Sequence, residues 1–400
     1  MLPGIGVFGT GNVVKVIVPF LRAKGFKVEA IWGRTLSTAE EAAKELNIPF
    51  YTNKIDDVLL RKDVDLIFII CSPNLHAQIA VKALGIGKHV LCDKPAGLCQ
   101  NESLKMVLAS QYYPSLISIL NHSLRFLPAF MQMRRAIRDG YVGNVSILDA
   151  RVQTGSLLSD AYDWRCDDAM GGGILTLVGS HVIDLAAHLT GQRAVRVHAV
   201  LRTFSPATDR VQGIRRISAS DFAAFQMELD GGALVTANLC SSSHLPGFFS
   251  QEVIVSGEKG QLTVRGGDLH GRRRVPDCEG GKSNHLVKEE VLYLDVEDLH
   301  QEGQAPTGAP LLPRPYLKGL FKMVGALREA FQSVEDRKGW VKEPVALAAT
   351  FEDGQYVQAV IDALRRSSRN REWVKVNIVT EEPDPNPLLS AAVRRSAISM

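Results

Sequence analysis

Gly4-Ile5-Gly6-Val7-Phe8-Gly9-Thr10-Gly11-Asn12-Val13-Val14 decides the architecture of this chain. The run 4–8 reads as a buried strand, and Gly9-Thr10-Gly11-Asn12 leads from it straight into apolar residues that continue as a helix. In a strand-turn-helix of this kind the first glycine permits a tight turn. The second lets backbone amides approach a pyrophosphate, and the helix N-terminus favours that negative charge. Two residues depart from the pattern. Val14 stands where a small residue would let helix and strand pack closely, and Pro19 removes a helical hydrogen bond and predicts a kink.

Outward from this turn, short β-rich runs at 4–8, 28–32, 66–71, 89–92 and 117–120 alternate with helix-length segments, among them 37–46, 75–84 and 102–110. The alternation predicts βαβ units on a parallel sheet, so residues 1–123 are expected to form a dinucleotide-binding Rossmann domain. After Arg125 the texture changes. A helix at 130–138 is followed by extended runs at 145–152, 195–203, 222–229, 233–239, 252–256 and 261–264, interrupted early by a helix at 181–189. Residues 124–370 therefore read as an α+β substrate domain built on a large, mostly antiparallel open sheet, giving an α/β plus α+β chain. Stretches 266–274 and 303–315 read as loops, helices at 316–331 and 350–366 close the fold, and 371–400 is a Pro-interrupted extension expected to be partly mobile.

With 400 residues, 46% of them hydrophobic and 22% charged, the chain is long enough for two cores. The net charge of +3 is mild, and the doublets Arg134-Arg135, Arg215-Arg216 and Arg365-Arg366 are scattered, which argues against a nucleic-acid partner. Arg272-Arg273-Arg274 reads as a solvated loop. Cys71, Cys92, Cys99, Cys166, Cys240 and Cys278 show no close CxxC pairing, so neither a metal site nor a disulfide framework is expected. No apolar run approaches the ~18 to 20 residues of a membrane helix. The first 21 residues lack a basic region ahead of their apolar run, so a cytoplasmic location is expected.

About 20 residues beyond the nucleotide turn, an NAD site places a carboxylate on the ribose hydroxyls. This chain has Gly33-Arg34-Thr35 there. With no carboxylate to repel a 2′-phosphate and with the guanidinium fork of Arg34 to receive it, NADP is expected in preference to NAD.

Cys71-Ser72-Pro73-Asn74-Leu75-His76 and then His89-Val90-Leu91-Cys92-Asp93-Lys94-Pro95 are followed by Asn121 with Arg125-Phe126, by Trp164-Arg165, and by Gly171-Gly172-Gly173 leading to Gly179-Ser180-His181-Val182-Ile183-Asp184. In this order the motifs resemble the glucose-fructose oxidoreductase / inositol dehydrogenase family over roughly residues 4–370. The nearest likeness is to its animal branch, the glucose-fructose oxidoreductase domain-containing proteins, which share the "GVFGT" opening, the "RFLPAF" segment and the "EEP" near the tail.

The resemblance implies that Lys94 lies where nicotinamide meets substrate, with Asp93 replacing the family's Glu, and that the following Lys-Pro bond can be cis. It assigns Ser72, Pro73, Asn74, His76 and Asp93 to the coenzyme, with Trp164 and Arg165 walling its side. It makes His181 the acid/base histidine, whose ordinary pKa suits that task near neutrality, and Asn121, Arg165 and Asp184 substrate contacts. Asp184, three residues after His181, is also placed to orient its ring. A homodimer through the flat face of the second sheet is implied as well. Four positions before His181 the family carries an aspartate and this chain carries Leu177. On a helix that spacing would set a carboxylate beside the imidazole. Two readings follow: an NADP-dependent oxidoreductase acting on a sugar, polyol or similar secondary alcohol, or an NADP-binding regulatory or scaffold protein with little turnover.

Overall fold

The computed structural model describes residues 1–158, 162–207, 216–241, 248–274, 287–296 and 313–381. Its first layer alternates β1 (Gly4–Phe8), α1 (Asn12–Ala23), β2 (Lys27–Trp32), α2 (Leu36–Leu46), β3 (Phe50–Thr52), α3 (Ile55–Leu59), β4 (Leu66–Ile69), α4 (His76–Gly85), β5 (His89–Cys92), α5 (Gln100–Tyr112) and β6 (Ser118–Leu120). β1, β4 and β5 are buried along their whole length, as strands of a sheet covered on both faces must be. α1 continues through Pro19 as one helix, with that residue on its exposed side. Val14 is fully buried in the same core as Ile5 and Val7, so the larger side chain is accommodated between helix and sheet.

The second layer comprises α6 (Pro128–Arg138), β7 (Val145–Thr154), α7 (Ser180–Thr190), β8 (Ala194–Arg202), β9 (Phe222–Leu229), β10 (Leu234–Ser241), β11 (Phe249–Gly257), β12 (Gly260–Arg265), β13 (Asp268–Arg274) and β14 (Val287–Tyr293). It is completed by α8 (Arg314–Gln332), β15 (Ala349–Thr350), α9 (Phe351–Asn370) and β16 (Val374–Lys375). The first sheet has the order β15-β6-β5-β4-β1-β2-β3, parallel except for β15. The strand order therefore reverses between β1 and β4, which opens a crevice at their carboxyl ends. The second sheet runs β14-β13-β12-β11-β7-β10-β9-β8-β16 and is antiparallel except where β7 meets β10. Residues of α7 and α9 share one buried core with it. A shallow trough of about 620 Å³ on that sheet is lined by side chains including Asp149, Arg151, His198 and Gln226.

Four expectations change. The stretch 266–274 is mostly a strand: Gly266, at φ +61°, turns the chain between β12 and β13, and Leu269 is buried while its neighbours face outward. Arg272 and Arg273 are accordingly strand residues paired with Glu289 at 3.0 Å and Glu290 at 3.5 Å. Residues 124–370 do not stay together. Leu320, Phe321, Met323 and Val324 of α8 pack in the core of the first sheet, Phe321 stacked on Phe20 of α1 at 4.0 Å between ring centroids, and β15 extends that sheet beside β6. Of the extension, residues through 381 are stitched down, by β16 and by the Val379 amide donating to Gln100 Oε1 at 2.9 Å, whereas 382–400 lie outside the described residues, as do 303–312 of the expected loop. Finally, one described helical stretch, Asp168–Thr190, is long and apolar enough to cross a membrane, but 83% of its most apolar window is buried inside the fold. It is a core helix.

Candidate active site

The crevice at the carboxyl ends of β1 and β4 is built from backbone. Gly9 has φ +135°, and a Cβ there would lie 2.5 Å from the Ile70 carbonyl oxygen, so glycine alone fits. Gly11, by contrast, has no atom within 4 Å of a Cβ position. It precedes α1 with no side-chain cap, leaving the exposed first turn at Gly11 and Asn12 open to an anion; Thr10 is half-buried beside it. At the end of β2, Gly33 is closed in by Ala39 and Thr10, and Arg34 is exposed. Thr35 caps α2, its hydroxyl accepting from the Thr38 amide at 3.3 Å, so it acts on the helix.

The loop after β4 lies beside this turn. Ser72 precedes a short 3₁₀ turn, Pro73–Leu75, in which Asn74 is exposed and Pro73 is buried, 3.2 Å from where a Cβ on Gly171 would stand. His76 is not open to a ligand. It is 1% exposed, with Nδ1 2.8 Å from the Pro95 carbonyl oxygen and Nε2 3.0 Å from that of Cys71. Trp164 and Arg165 form a 3₁₀ turn, half-buried, in which the Arg165 guanidinium folds back on Asp163 at 2.5 Å.

Beyond β5 the polar residues converge. The Lys94–Pro95 peptide is cis. Asp93 Oδ1 accepts from the Lys94 amide at 3.0 Å and from Asn121 Nδ2 at 3.1 Å, which fixes the turn. Lys94 Nζ donates to the Leu177 carbonyl oxygen at 2.5 Å. Leu177 sits in a π-helical turn, Leu175–Gly179, that precedes α7, so the regular four-residue spacing to His181 is broken and its backbone, not its side chain, meets the lysine. Burial pushes the Lys94 ammonium down to about 8, against the opposing pull of Asp93.

His181 lies edge-on to His122 at 5.4 Å and to Tyr316 at 4.7 Å between ring centroids. Burial, reinforced by Lys94 and His122, holds it well below the usual histidine range. The titration near neutrality expected from its residue type is therefore lost to its surroundings. Asp184 does not orient it: both carboxylate oxygens take the Arg125 fork, at 2.6 and 2.9 Å. Burial works against that charge, but Arg125 and His122 outweigh it and keep the carboxyl below its ordinary value. Arg125 also reaches Asp353 at the start of α9, at 3.1 Å.

Four buried polar atoms in this cluster have no hydrogen-bond partner: Asn121 Oδ1, His122 Nδ1, which lies 3.9 Å from Asp184 Oδ2, His181 Nδ1 and the Tyr316 hydroxyl. His122 and Tyr316 escaped the sequence reading. Tyr316 looks like any aromatic of an amphipathic helix, and His122 sits in no pattern of its own. No group of three or more His, Cys, Asp or Glu among the described residues is arranged to hold a metal.

Residues 4–112 match the model described as "Oxidoreductase family, NAD-binding Rossmann fold", and residues 130–263 match the "GFO/IDH/MocA C-terminal domain". The chain belongs to the GFO/IDH/MocA oxidoreductase family. It is 48% identical to human "Glucose-fructose oxidoreductase domain-containing protein 2", covering 99% of each chain. It is 47% identical to "Glucose-fructose oxidoreductase domain-containing protein 1" of Xenopus tropicalis over 100% of both. Among solved structures of the same fold, an oxidoreductase domain protein from Kribbella flavida has a TM-score of 0.75 at 22% identity, covering 94% of this chain and 100% of its own. "Levoglucosan dehydrogenase, complex with NADH and levoglucosan" has a TM-score of 0.75 at 20% identity, covering 95% and 100%. The GFO/IDH/MocA likeness thus spans both sheets and the cleft between them.

Proposed function

We propose that the chain is an NADP-dependent oxidoreductase moving hydride between nicotinamide and a sugar, polyol or related secondary alcohol or its carbonyl. One observation carries the reading: four buried polar atoms without partners gather where Lys94 enters from the coenzyme side. An unmade buried hydrogen bond costs ~1–3 kcal/mol, so such a cluster points to a ligand that completes it. Donors and acceptors are mixed there, which suits vicinal hydroxyls better than an anion. The same fold in levoglucosan dehydrogenase, solved in complex with NADH and levoglucosan, is in keeping with this.

The open first turn of α1 suits a pyrophosphate, and exposed Arg34, with no carboxylate at the end of β2, supports the phosphorylated coenzyme. When bound, the dinucleotide supplies the hydride acceptor or donor. Lys94 holds the substrate oxygen and, titrating near 8, takes or returns its proton close to neutrality. His181, kept neutral, hydrogen-bonds a substrate hydroxyl, with Asn121, His122 and Tyr316 gripping further oxygens. Two copies pairing through the open face of the second sheet complete the reading.

A second reading is an NADP-binding regulatory or scaffold protein. Leu177 favours it: no carboxylate among the described residues hydrogen-bonds Lys94 Nζ or the His181 ring. Single-turnover absorbance of bound NADP(H) against polyols, aldoses and dicarbonyls separates the two. Turnover that Lys94→Ala lowers by ~100-fold or more supports the enzyme. Tight binding with no redox change for any compound supports the scaffold.

A further inference from the structure

His76 occupies an unusual place for a buried imidazole. Both ring nitrogens lie at hydrogen-bond distance from backbone carbonyl oxygens, Pro95 at 2.8 Å and Cys71 at 3.0 Å. Carbonyls only accept, so each bond requires a ring N–H, and a neutral imidazole has one. The two oxygens belong to different parts of the molecule. Cys71 follows β4 in the crevice, where its amide is 3.3 Å from the Cβ position of Gly9 in the nucleotide turn. Pro95 follows Lys94, whose own nitrogen is anchored to Asp93 and whose ammonium meets Leu177.

We propose that His76 is a positioning residue that clamps the coenzyme crevice to the Lys94 turn and thereby sets where the Lys94 ammonium stands. His76 begins α4 and reaches both carbonyls from that helix; the two segments otherwise meet only at their base, where the Asp93 amide donates to the Ile69 carbonyl oxygen at 2.8 Å, and the Pro95 carbonyl also accepts from the Gly97 amide of its own turn at 2.9 Å among the described backbone bonds. Without it, the turn keeps the Asp93 amide bond to Ile69, the Asp93 side-chain bond to the Lys94 amide and the contact of Lys94 with Leu177, none of which holds Pro95. The charged and titratable groups facing that ammonium are Asp93 on its own turn, His122 after β6 and His181 on α7. This inference rests on the coenzyme reading of the crevice for its functional meaning, but the clamp itself is testable in the free protein.

The test is competitive acetylation of the full chain over a pH series, with the Lys94 peptide quantified by mass spectrometry and Lys82, exposed on the same helix, as internal control. The parent is expected to show a Lys94 midpoint near 8. In His76→Phe, which keeps a ring and removes both ring nitrogens, the midpoint should rise by about one unit as the ammonium gains water. NADPH affinity, followed by fluorescence, should fall roughly fivefold to tenfold. His76→Asn, whose shorter amide reaches one carbonyl, should lie between. If His76→Phe does not fold, the intermediate shift in His76→Asn decides alone. A Lys94 midpoint unmoved in the folded variants overturns the clamp. A parent that binds neither NADPH nor NADH overturns the functional reading instead, while the acetylation comparison still decides the clamp.

Discussion

At the mouth of the crevice the chain presents Gly9 and Gly11, backbone with no side chain, followed by an uncapped helix turn. In the cleft beyond it, Lys94, His122, His181 and Tyr316 come from four separate elements and meet only in the folded chain. The crevice depends on a few φ/ψ values encoded within one turn of sequence, whereas the cleft depends on buried charge and ring packing between two sheets. The two regions should therefore fail in different ways.

The largest expected effect is in the cleft. Arg125→Ala leaves Asp184 buried with no fork to receive it, and should cost about 3–5 kcal/mol in denaturant unfolding, while a double change that also makes Asp184→Asn recovers part of the loss. Equal losses in the single and double variants would mean that charge is not what holds this region. Acid comes next. His122, His181 and His89 are held below the usual histidine range by burial, His89 at about 4, so each is neutral in the fold and binds a proton more readily in the unfolded chain. Stability from these groups is complete above about 6.5 and declines as pH falls below it, with His89 alone worth on the order of 3 kcal/mol by pH 4. A thermal midpoint flat from pH 7 to pH 5 would contradict that sign.

In the crevice, Gly9→Ala should abolish coenzyme binding and cost about 2 kcal/mol of stability, whereas Gly11→Ala, with open space around it, should leave stability within about 0.5 kcal/mol. Calorimetry of both variants that finds them alike would erase the distinction drawn between the two glycines. The smallest effect belongs to Arg34. Arg34→Ala should weaken NADPH by roughly tenfold and NADH hardly at all, and equal losses would remove the case for the 2′-phosphate.

Much of this was legible in the sequence, for reasons that follow the same division. Runs such as 4–8 and 89–92 announce parallel strands because burial on both faces writes an unbroken apolar stretch. Lys94 and His181, from distant motifs, lie near enough for the lysine's charge to act on the imidazole. What the sequence hid depends on distant packing: α8 leaves the segment it belongs to and carries Tyr316 to His181, and β13 is concealed behind Gly266-Gly267, whose turn looks like a loop. His76 was read as a coenzyme contact because its motif says nothing of where its two nitrogens point. Leu177 misled in another way, since a helical spacing argument cannot anticipate a π-turn at residues 175–179.

Presentation of a nicotinamide ring to Lys94 and His181 across the cleft is tested most directly by a crystal structure of the chain with NADPH. The expected result is pyrophosphate on the first turn of α1, the 2′-phosphate against Arg34, and the ring's reactive carbon facing the unpartnered atoms of Asn121, His122, His181 and Tyr316 with Lys94 Nζ beside it. A ring remote from Lys94 and His181, or a crevice that takes up no dinucleotide, would contradict it.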